Sequence, residues 1–362
     1  MNLINAFRDK KLVEQLVTRI HNITKQNIRI MEVCGGHTMA IRRYGIHTLL
    51  PTQIELLSGP GCPVCVTGQY YIDKAIAYAR QPDVILTTYG DLLRVPGSYS
   101  SLDHEKAKGA DVRLVYSTSE VLEIARKNPE RKIIFAAIGF ETTIPGTAIA
   151  VLNAQKEKIN NFFIISAHKV MPPAMSALLE EGIPIDGYIG PGHVCTVAGS
   201  KLFKPLTEEF KVPVVISGFE PVDLLQSVLL LTEHIQKKDY GVFIQYKRLV
   251  TEEGNLKAQK IIEEVFEPCE QNWRGIGTIP DSGLKLRSKY AKFDADIVLP
   301  VEVETGTEPK GCICGQVLKG LKKPTNCALF GKTCTPVHPV GACMVSSEGS
   351  CNAYFQYQTE LD

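Results

Sequence analysis

The chain has 362 residues, of which 44% are hydrophobic and 22% charged, a composition typical of a soluble globular protein with two or three domains. The formal net charge is +1, so we expect neither nucleic acid nor an anionic membrane as a partner. The first residues lack the apolar core of a signal peptide, and no apolar stretch approaches the roughly 18 residues that a membrane helix requires. We therefore expect a cytosolic protein.

The first 130 residues alternate between helical and strand patterns. Apolar residues at helical spacing predict a helix over 9–26. Short apolar runs that follow it predict strands at 28–33, 53–58, 83–89 and 111–116. Short buried strands that alternate with helices are typical of a parallel sheet, so we predict a first α/β domain over residues 1–130.

The alternation continues over residues 131–250, where we predict a second α/β domain. Its predicted strands are 132–140, 162–168, 186–191, 212–219 and 240–246. A shift of about 131 residues places the Gly-Pro-Gly turn at 59–61 on the turn at 190–192. We interpret the chain as two similar parallel-sheet α/β units, and ancient duplication is a hypothesis that the strand orders can test.

The remaining residues, 251–362, form a third predicted region, and six of the eleven cysteines lie in its last 51 residues. In a reducing compartment, such a concentration indicates metal binding or redox chemistry rather than disulfides. The spacing is C-x-C-x12-C-x6-C-x8-C-x7-C, formed by Cys312, Cys314, Cys327, Cys334, Cys343 and Cys351. This tail has little apolar core, so bound metal could supply part of its folding free energy.

Dispersed tail cysteines with Gly and Pro between them favour a [4Fe–4S] cluster held by four thiolates. Zinc is one alternative, although structural zinc sites usually have two C-x2–4-C pairs, and a single residue separates the closest pair here. Unligated buried thiols are the other alternative. The predicted cluster ligands are Cys314, Cys327, Cys334 and Cys351. The remaining two, Cys312 and Cys343, would be bystanders or redox partners.

Another cysteine lies in the string EVCGGHT near the amino terminus. Cys34 comes at the end of a predicted strand and before a predicted helix, at the edge of an α/β sheet where ligands bind. Because a helix amino terminus stabilises a thiolate, we expect a lowered thiol pKa and a metal-binding role. A buried, inert cysteine is the alternative. His37 of the same string is a candidate to assist the thiol.

The string GPGCPVC contains Cys62 and Cys65 in the C-x2-C spacing of thiol–disulfide redox pairs and of half a metal site. Half of a structural zinc site is the alternative, but no second C-x2-C pair is present to complete one. The string GPGHV occupies the corresponding turn of the second unit. We therefore expect His193 to face the same cleft, although a satisfied polar side chain is a common alternative.

Further polar residues follow other predicted strands, namely Asp91, Glu141 and His168. Capping or turn chemistry explains them at least as well as a functional role. We interpret Cys195 and Cys269 as structural. No G-x-G-x-x-G follows a predicted strand, so a dehydrogenase-type nucleotide site would lack its phosphate loop.

Several strings together resemble the HypD family of [NiFe]-hydrogenase maturation factors over nearly the whole chain. They are EVCGGHT, SGPGCPVC, GDLLRVPGS, GFETT, SAHKVMPPAM, IGPGHV and LFGKTCTPVHPVGACMVSSEGSCNAYFQY. The resemblance implies a role in building the Fe(CN)2CO group, in complex with the chaperone HypC and with cyanide received from HypE. It also implies a [4Fe–4S] cluster in the tail, and iron handling and thiol redox by Cys34, Cys62 and Cys65.

From this resemblance we expect Cys34 to hold iron together with a thiol of the chaperone, because thiolates suit low-spin iron. Cys62 and Cys65 would cycle between dithiol and disulfide, and the cluster would return electrons to them. This relay requires the cluster, the Cys62–Cys65 pair and Cys34 to converge in one cleft. Two other functions stay open: a stand-alone iron–sulfur thiol–disulfide oxidoreductase and a scaffold whose cluster is structural.

Overall fold

The computed structural model describes residues 6–357. Its strands, in chain order, are β1 (Ile28–Glu32), β2 (Ile54–Ser58), β3 (Val84–Thr88), β4 (Val112–Leu114), β5 (Lys132–Gly139), β6 (Phe162–His168), β7 (Gly187–Pro191), β8 (Val214–Ser217), β9 (Val242–Ile244), β10 (Phe266–Trp273) and β11 (Gly277–Leu286).

The α-helices with defined bounds, in chain order, are α1 (Lys10–Ile23), α2 (Gly35–Arg43), α3 (Ile46–Leu49), α4 (Pro63–Val66), α5 (Gln69–Ala79), α6 (Leu102–Ala107), α7 (Thr118–Lys127), α8 (Ile144–Glu157), α9 (Met171–Glu180), α10 (Gly192–Ala198), α11 (Lys204–Phe210), α12 (Pro221–Lys237), α13 (Leu256–Val265), α14 (Ala295–Val298), α15 (Cys314–Leu318) and α16 (Ser350–Gln356). Short 3-10 turns join several of them, including Gly90–Arg94 and Ala342–Met344.

Two parallel sheets form the body of the protein. One has five strands in the order β2-β1-β7-β8-β9, and the other has four in the order β4-β3-β5-β6. The strands β10 and β11 form a separate antiparallel hairpin. The predicted α/β class with two parallel sheets and a cysteine-rich carboxyl-terminal region is therefore confirmed.

The two α/β units are nested in the chain rather than consecutive. The chain leaves the five-stranded sheet after β2, builds the whole four-stranded sheet, and returns at β7. The predicted division at residue 130 falls between β4 and β5, which belong to one sheet. Local patterns identify strands, but pairing is a long-range choice, so the order of the sheets was not visible in the sequence.

The hypothesis of duplication at a shift of 131 residues needs correction. That shift places β2 on β7, and these strands belong to the same sheet. The two sheets nevertheless share a strand order. Numbered in its own chain order, each sheet has its second strand at the edge, followed by the first, third and fourth strands.

Burial explains why the apolar runs became central strands. The strand β3 is buried at every position, and β5 is buried at every position except Lys132. Strands of this kind need helices on both faces, which the connections between parallel strands provide. The helix α1 has its apolar stripe, including Leu16 and Ile20, packed against α12.

The cysteine-rich tail docks on the carboxyl end of the five-stranded sheet. Its last helix, α16, packs against α2, and the turn Ala342–Met344 packs against α4. These contacts bring tail cysteines next to both amino-terminal cysteine motifs. Among residues 6–357, no helix is long and apolar enough to cross a membrane.

Candidate functional site

The candidate site lies where the strand order of the five-stranded sheet reverses. The strand β1 ends two residues before Cys34, and β2 and β7 flank it. A Gly-Pro-Gly turn follows β2, and the second Gly-Pro-Gly string spans the end of β7 and the start of α10. Open α/β sheets bind ligands at the carboxyl ends of strands on either side of such a reversal. The structure places Cys34, the C-x2-C pair and His193 at this edge.

Close backbone packing joins the first two cysteine motifs. The Gly59 amide donates a hydrogen bond to the Glu32 carbonyl (2.8 Å), and the Gly35 amide donates one to the Gly61 carbonyl (3.1 Å). A Cβ atom at Gly61 would lie 2.2 Å from the Cys34 nitrogen. The turn therefore requires glycine at this position, because any side chain would separate the two motifs.

The thiol of Cys34 is harder to ionise than an ordinary cysteine. The helix α2 starts directly after it, and amide hydrogen bonds from Gly36 and His37 favour the thiolate. Burial outweighs them and, together with the nearby Glu348 carboxylate, raises the pKa of Cys34 to about 12. The expectation of a lowered pKa was therefore wrong, and a metal ion that binds Cys34 must displace its proton.

A buried carboxyl group, that of Glu32, lies at the end of β1, two residues before Cys34. The Thr38 hydroxyl donates a 2.6 Å hydrogen bond to its Oε1, and Oε2 has no hydrogen-bond partner. Burial raises the pKa of Glu32 to about 8. This carboxyl group also lines a cavity of about 530 Å³ between β1, β2 and α2. Sequence reasoning did not single out Glu32 or Glu348.

His37 is fully buried beside Cys34, and its Nε2 lies 3.3 Å from the Ser217 carbonyl oxygen. A carbonyl oxygen can only accept, so this contact assigns the proton to Nε2 and leaves Nδ1 with a free lone pair. The described structure shows no hydrogen-bond partner for Nδ1. Burial lowers the pKa of His37 to about 4, so the imidazole is neutral at physiological pH.

His193 begins α10 and is exposed, in contrast to His37. Its ring stacks on Phe219 at a centroid distance of 3.9 Å, and His37 stacks on the same phenyl ring at 4.5 Å. Phe219 follows β8 in the string SGFEP. Phe219 is the last residue of the predicted strand 212–219 and was not singled out from the sequence, although a strand-end position at the ligand-binding edge was a usable signal.

The C-x2-C pair faces the tail through Cys65. The Cys65 amide donates to the Cys62 sulfur (3.3 Å), and both thiols are buried. The Cys65 thiol also contacts Cys343, which in turn contacts Cys314 and Cys351. We call these five residues the thiol chain: Cys62, Cys65, Cys343, Cys314 and Cys351. The thiol chain thus connects the C-x2-C pair to the tail cysteines through direct contacts.

Within the thiol chain, the pKa of Cys343 shifts in the opposite direction to those of Cys65 and Cys351. Hydrogen bonds from Cys314, Cys351 and Cys65 lower the pKa of Cys343 well below the ordinary value despite burial. Burial and contacts with Cys343 and Cys62 raise the pKa of Cys65. Cys343 is 0% exposed, so its partners for thiol exchange are its neighbours in the thiol chain.

All tail thiols except Cys343 surround a small cavity of about 10 Å³. Five of the six tail cysteines line it: Cys312, Cys314, Cys327, Cys334 and Cys351. The set includes all four predicted ligands and excludes Cys343. As the side chains stand, no three His, Cys, Asp or Glu residues within 6–357 are arranged to hold one metal ion. The donor atoms suit a cluster held by thiolates.

Of the three polar residues identified at other strand ends, Glu141 and His168 have hydrogen-bond partners. The Glu141 Oε1 accepts from the Met171 amide (3.1 Å), and His168 Nε2 lies 3.0 Å from the Thr147 hydroxyl. Asp91 lies in the Gly90–Arg94 turn, near enough to raise the pKa of Glu348. The first two contacts agree with the structural interpretation.

The two cysteines interpreted as structural lie outside the thiol chain. Cys195 is buried in α10, where burial and the charges of Glu141 and Cys34 raise its pKa. Cys269 is half-buried in β10.

Residues 11–358 match the family model described as HypD, hydrogenase formation HypA family. The chain belongs to the HypD family. It is similar to hydrogenase maturation factor HypD2 of Bradyrhizobium diazoefficiens (45% identity over 368 aligned positions), covering 99% of this chain and 97% of the relative. The HypD proteins of Azotobacter vinelandii and Cupriavidus necator are 46% and 42% identical, each match covering 99% of this chain and 97% of the relative.

The resemblance read from the cysteine and glycine strings is therefore confirmed at the level of the family, which comprises hydrogenase maturation factors. The strings that carried it lie far apart along the chain. The structure brings EVCGGHT, GPGCPVC, GPGHV and the end of the tail to one edge of one sheet.

Proposed function

We propose that this protein assembles the Fe(CN)2CO group of [NiFe] hydrogenases on an iron ion held by Cys34. In this proposal it works in complex with HypC, which contributes a second thiol, and receives cyanide from HypE. The proposal is supported by membership of the HypD family and by the position of Cys34 at the reversal point of a parallel sheet. Iron is the cargo of this site rather than a resident cofactor.

The observation that carries the proposal is the neighbourhood of Cys34. One thiol sits between two glycine turns, with a neutral imidazole beside it and an exposed imidazole beyond. Low-spin iron with cyanide and carbon monoxide favours soft thiolate ligands. The buried surroundings would exclude water from the iron while its remaining positions accept diatomic ligands.

We further propose that the thiol chain supplies the redox steps. Reduction of a Cys62–Cys65 disulfide takes two electrons and two protons and yields two thiols. A [4Fe–4S] cluster held by Cys314, Cys327, Cys334 and Cys351 would provide electrons singly. Contact of Cys65 with Cys343 supports this relay, because it places the pair beside the proposed ligands.

Infrared spectroscopy of the chain purified with its small partner tests the function directly. We expect bands in the cyanide and carbonyl region from the native complex. Cys34→Ala should remove these bands while the visible absorbance of the tail cluster is kept. Absence of bands from the native complex contradicts the proposal, and loss of the cluster in Cys34→Ala contradicts the division of roles between the cysteines.

A stand-alone iron–sulfur thiol–disulfide oxidoreductase is the second candidate function. The same contact between Cys65 and Cys343 favours it, since it would connect a redox pair to a cluster. That function predicts reduction of a protein disulfide by the isolated chain, without iron-bound cyanide bands. It also predicts that Cys34→Ala retains full activity.

A further inference from the structure

Phe219 forms the centre of a stack of three rings. The ring of His37 is tilted by 24° from the phenyl plane, and that of His193 by 20°. Two rings that are nearly parallel to a third, and this close to its centroid, would overlap if they shared one face. The imidazoles therefore lie on opposite faces of Phe219.

This arrangement separates the two imidazoles by more than one metal ion can span. With a phenyl ring between them, stacked rings lie about 7–8 Å apart. Metal–imidazole bonds are about 2 Å long, so two nitrogen ligands of one ion lie within about 4 Å of each other. While Phe219 stays in place, a single ion cannot bind both histidines.

The surroundings indicate which imidazole belongs to Cys34. A Cβ atom at Gly36 would lie 3.7 Å from the Cys34 sulfur and 3.1 Å from the Phe219 ring, so thiol and ring edge are neighbours. The His37 amide donates to the Cys34 carbonyl (2.9 Å), and its buried Nδ1 has no hydrogen-bond partner. His193 lies on the far face of the ring and is exposed.

We propose that Phe219 is a positioning residue that keeps His37 alone beside the metal at Cys34 and holds His193 out of that ligand set. The inference rests on the proposed function in one respect, namely that Cys34 binds the iron cargo. His193 is thereby left to act at the open mouth of the site, where an incoming ligand or partner arrives. The two histidines, equivalent candidates in the sequence, have different roles.

The loop that carries Phe219 is held by a buried ionic network. Arg248 donates a 2.8 Å hydrogen bond to Asp223, and the Gln245 amide donates another of 2.8 Å. The Gln245 carbonyl group accepts from the Gly218 amide (3.0 Å), directly before Phe219. Asp223 is fully buried. The position of the phenyl ring is thus determined by the fold, as a spacer requires.

Cobalt(II) binding to the isolated full-length chain tests the inference, because thiolate–cobalt absorbance can be assigned to Cys34 by subtracting the Cys34→Ala spectrum. We expect His37→Ala to weaken this binding at least about tenfold, as loss of an imidazole beside a metal does. We expect less than about a twofold change from His193→Ala. In a Phe219→Ala background, His193→Ala should change the affinity or the spectrum, because the spacer is gone.

Phe243→Ala is the matched control. Phe243 stacks on His234 at 3.5 Å in the same sheet but away from the strand ends, so its loss should leave cobalt binding unchanged. Phe219→Tyr should retain native behaviour. If Phe219→Ala does not fold, the double-variant comparison is made with Phe219→Leu, where we expect a smaller coupling in the same direction.

Three results would overturn the inference. The first is an equal loss of cobalt affinity in His37→Ala and His193→Ala. The second is that His193→Ala has the same effect on cobalt binding in the Phe219→Ala background as in the native chain. The third is that no cobalt absorbance depends on Cys34. The experiment uses neither partner protein nor cyanide. If the infrared bands are missing but cobalt binding follows the expected pattern, only the proposed function is contradicted. If the infrared bands are present but cobalt binding departs from the expected pattern, only the role of Phe219 is contradicted.

Discussion

Cys34 and Cys343 lie in neighbouring parts of one buried region, but their surroundings differ in kind. Cys34 has carboxyl groups and an aromatic stack around it, and burial raises its pKa to about 12. Cys343 has three thiols around it, and their hydrogen bonds lower its pKa. The two thiols shift in opposite directions: desolvation is the larger effect on the pKa of Cys34, and hydrogen bonds from neighbouring thiols are the larger effect on that of Cys343.

This contrast suits two different tasks. A thiol that stays protonated until a metal displaces the proton is protected from oxidation and from unwanted thiol exchange. A thiolate surrounded by thiols is prepared for exchange with them. The same residue type therefore serves as the proposed cargo ligand in one place and as the proposed redox connection in the other.

The largest expected effect concerns the reactivity of Cys34. Because its pKa is raised, we expect iodoacetamide at pH 8 to alkylate Cys34 at least about 100-fold more slowly in the folded than in the unfolded chain. The folded-state rate should rise about tenfold per pH unit up to pH 10. Mass spectrometry of the alkylated peptides measures both, and a plateau near pH 8 would show that the thiol ionises normally.

The next effect concerns the contact between the tail and Cys34. A Cβ atom at Gly35 would lie 2.5 Å from both the Cβ and the carbonyl oxygen of Glu348. We expect Gly35→Ala to lower the free energy of unfolding by about 1–3 kcal/mol and to speed alkylation of Cys34, because the tail must move away. Urea unfolding measures the first effect.

Gly90→Ala is the control for this prediction, because no atom within 4 Å would meet its added Cβ. It should change the free energy of unfolding by less than about 0.5 kcal/mol. Equal effects from the two variants would mean that the tail does not press on the start of α2.

The smallest expected effect concerns the thiol chain. Mild oxidation with diamide should form disulfides between the C-x2-C pair and the tail in the chain freed of any cluster, and Cys343→Ala should reduce their yield about tenfold. The reason is that Cys343 contacts Cys65 on one side and Cys314 on the other. Peptide mapping gives the yield. Cys312→Ala is the control, and an equal loss there would remove the special role of Cys343.

Much of the site was predictable because it is built from strand ends. The predicted strands 28–33 and 53–58 correspond to β1 and β2, and glycine turns after buried strands marked where ligand-binding residues would collect. The prediction that cysteine motifs share one sheet edge needed only the direction of parallel strands. The family, too, was readable from strings of residues.

Other features depended on contacts between distant segments. The nested order of the sheets, the stack on Phe219, and the contact of Glu348 with Gly35 each join parts of the chain that are far apart in sequence. The raised pKa of Cys34 belongs to the same class. The local helix start predicted a lowered pKa, but desolvation by the surrounding fold is the larger effect.

The α/β class, nine of the eleven strands and the family were readable from hydrophobic period, turn chemistry and short motifs, whereas the hairpin of β10 and β11 was not predicted. Only the tertiary structure decided which strands pair, which thiols touch and which histidine is buried. The physical reason is that strand pairing, burial and hydrogen bonding between side chains depend on neighbours that local patterns do not specify.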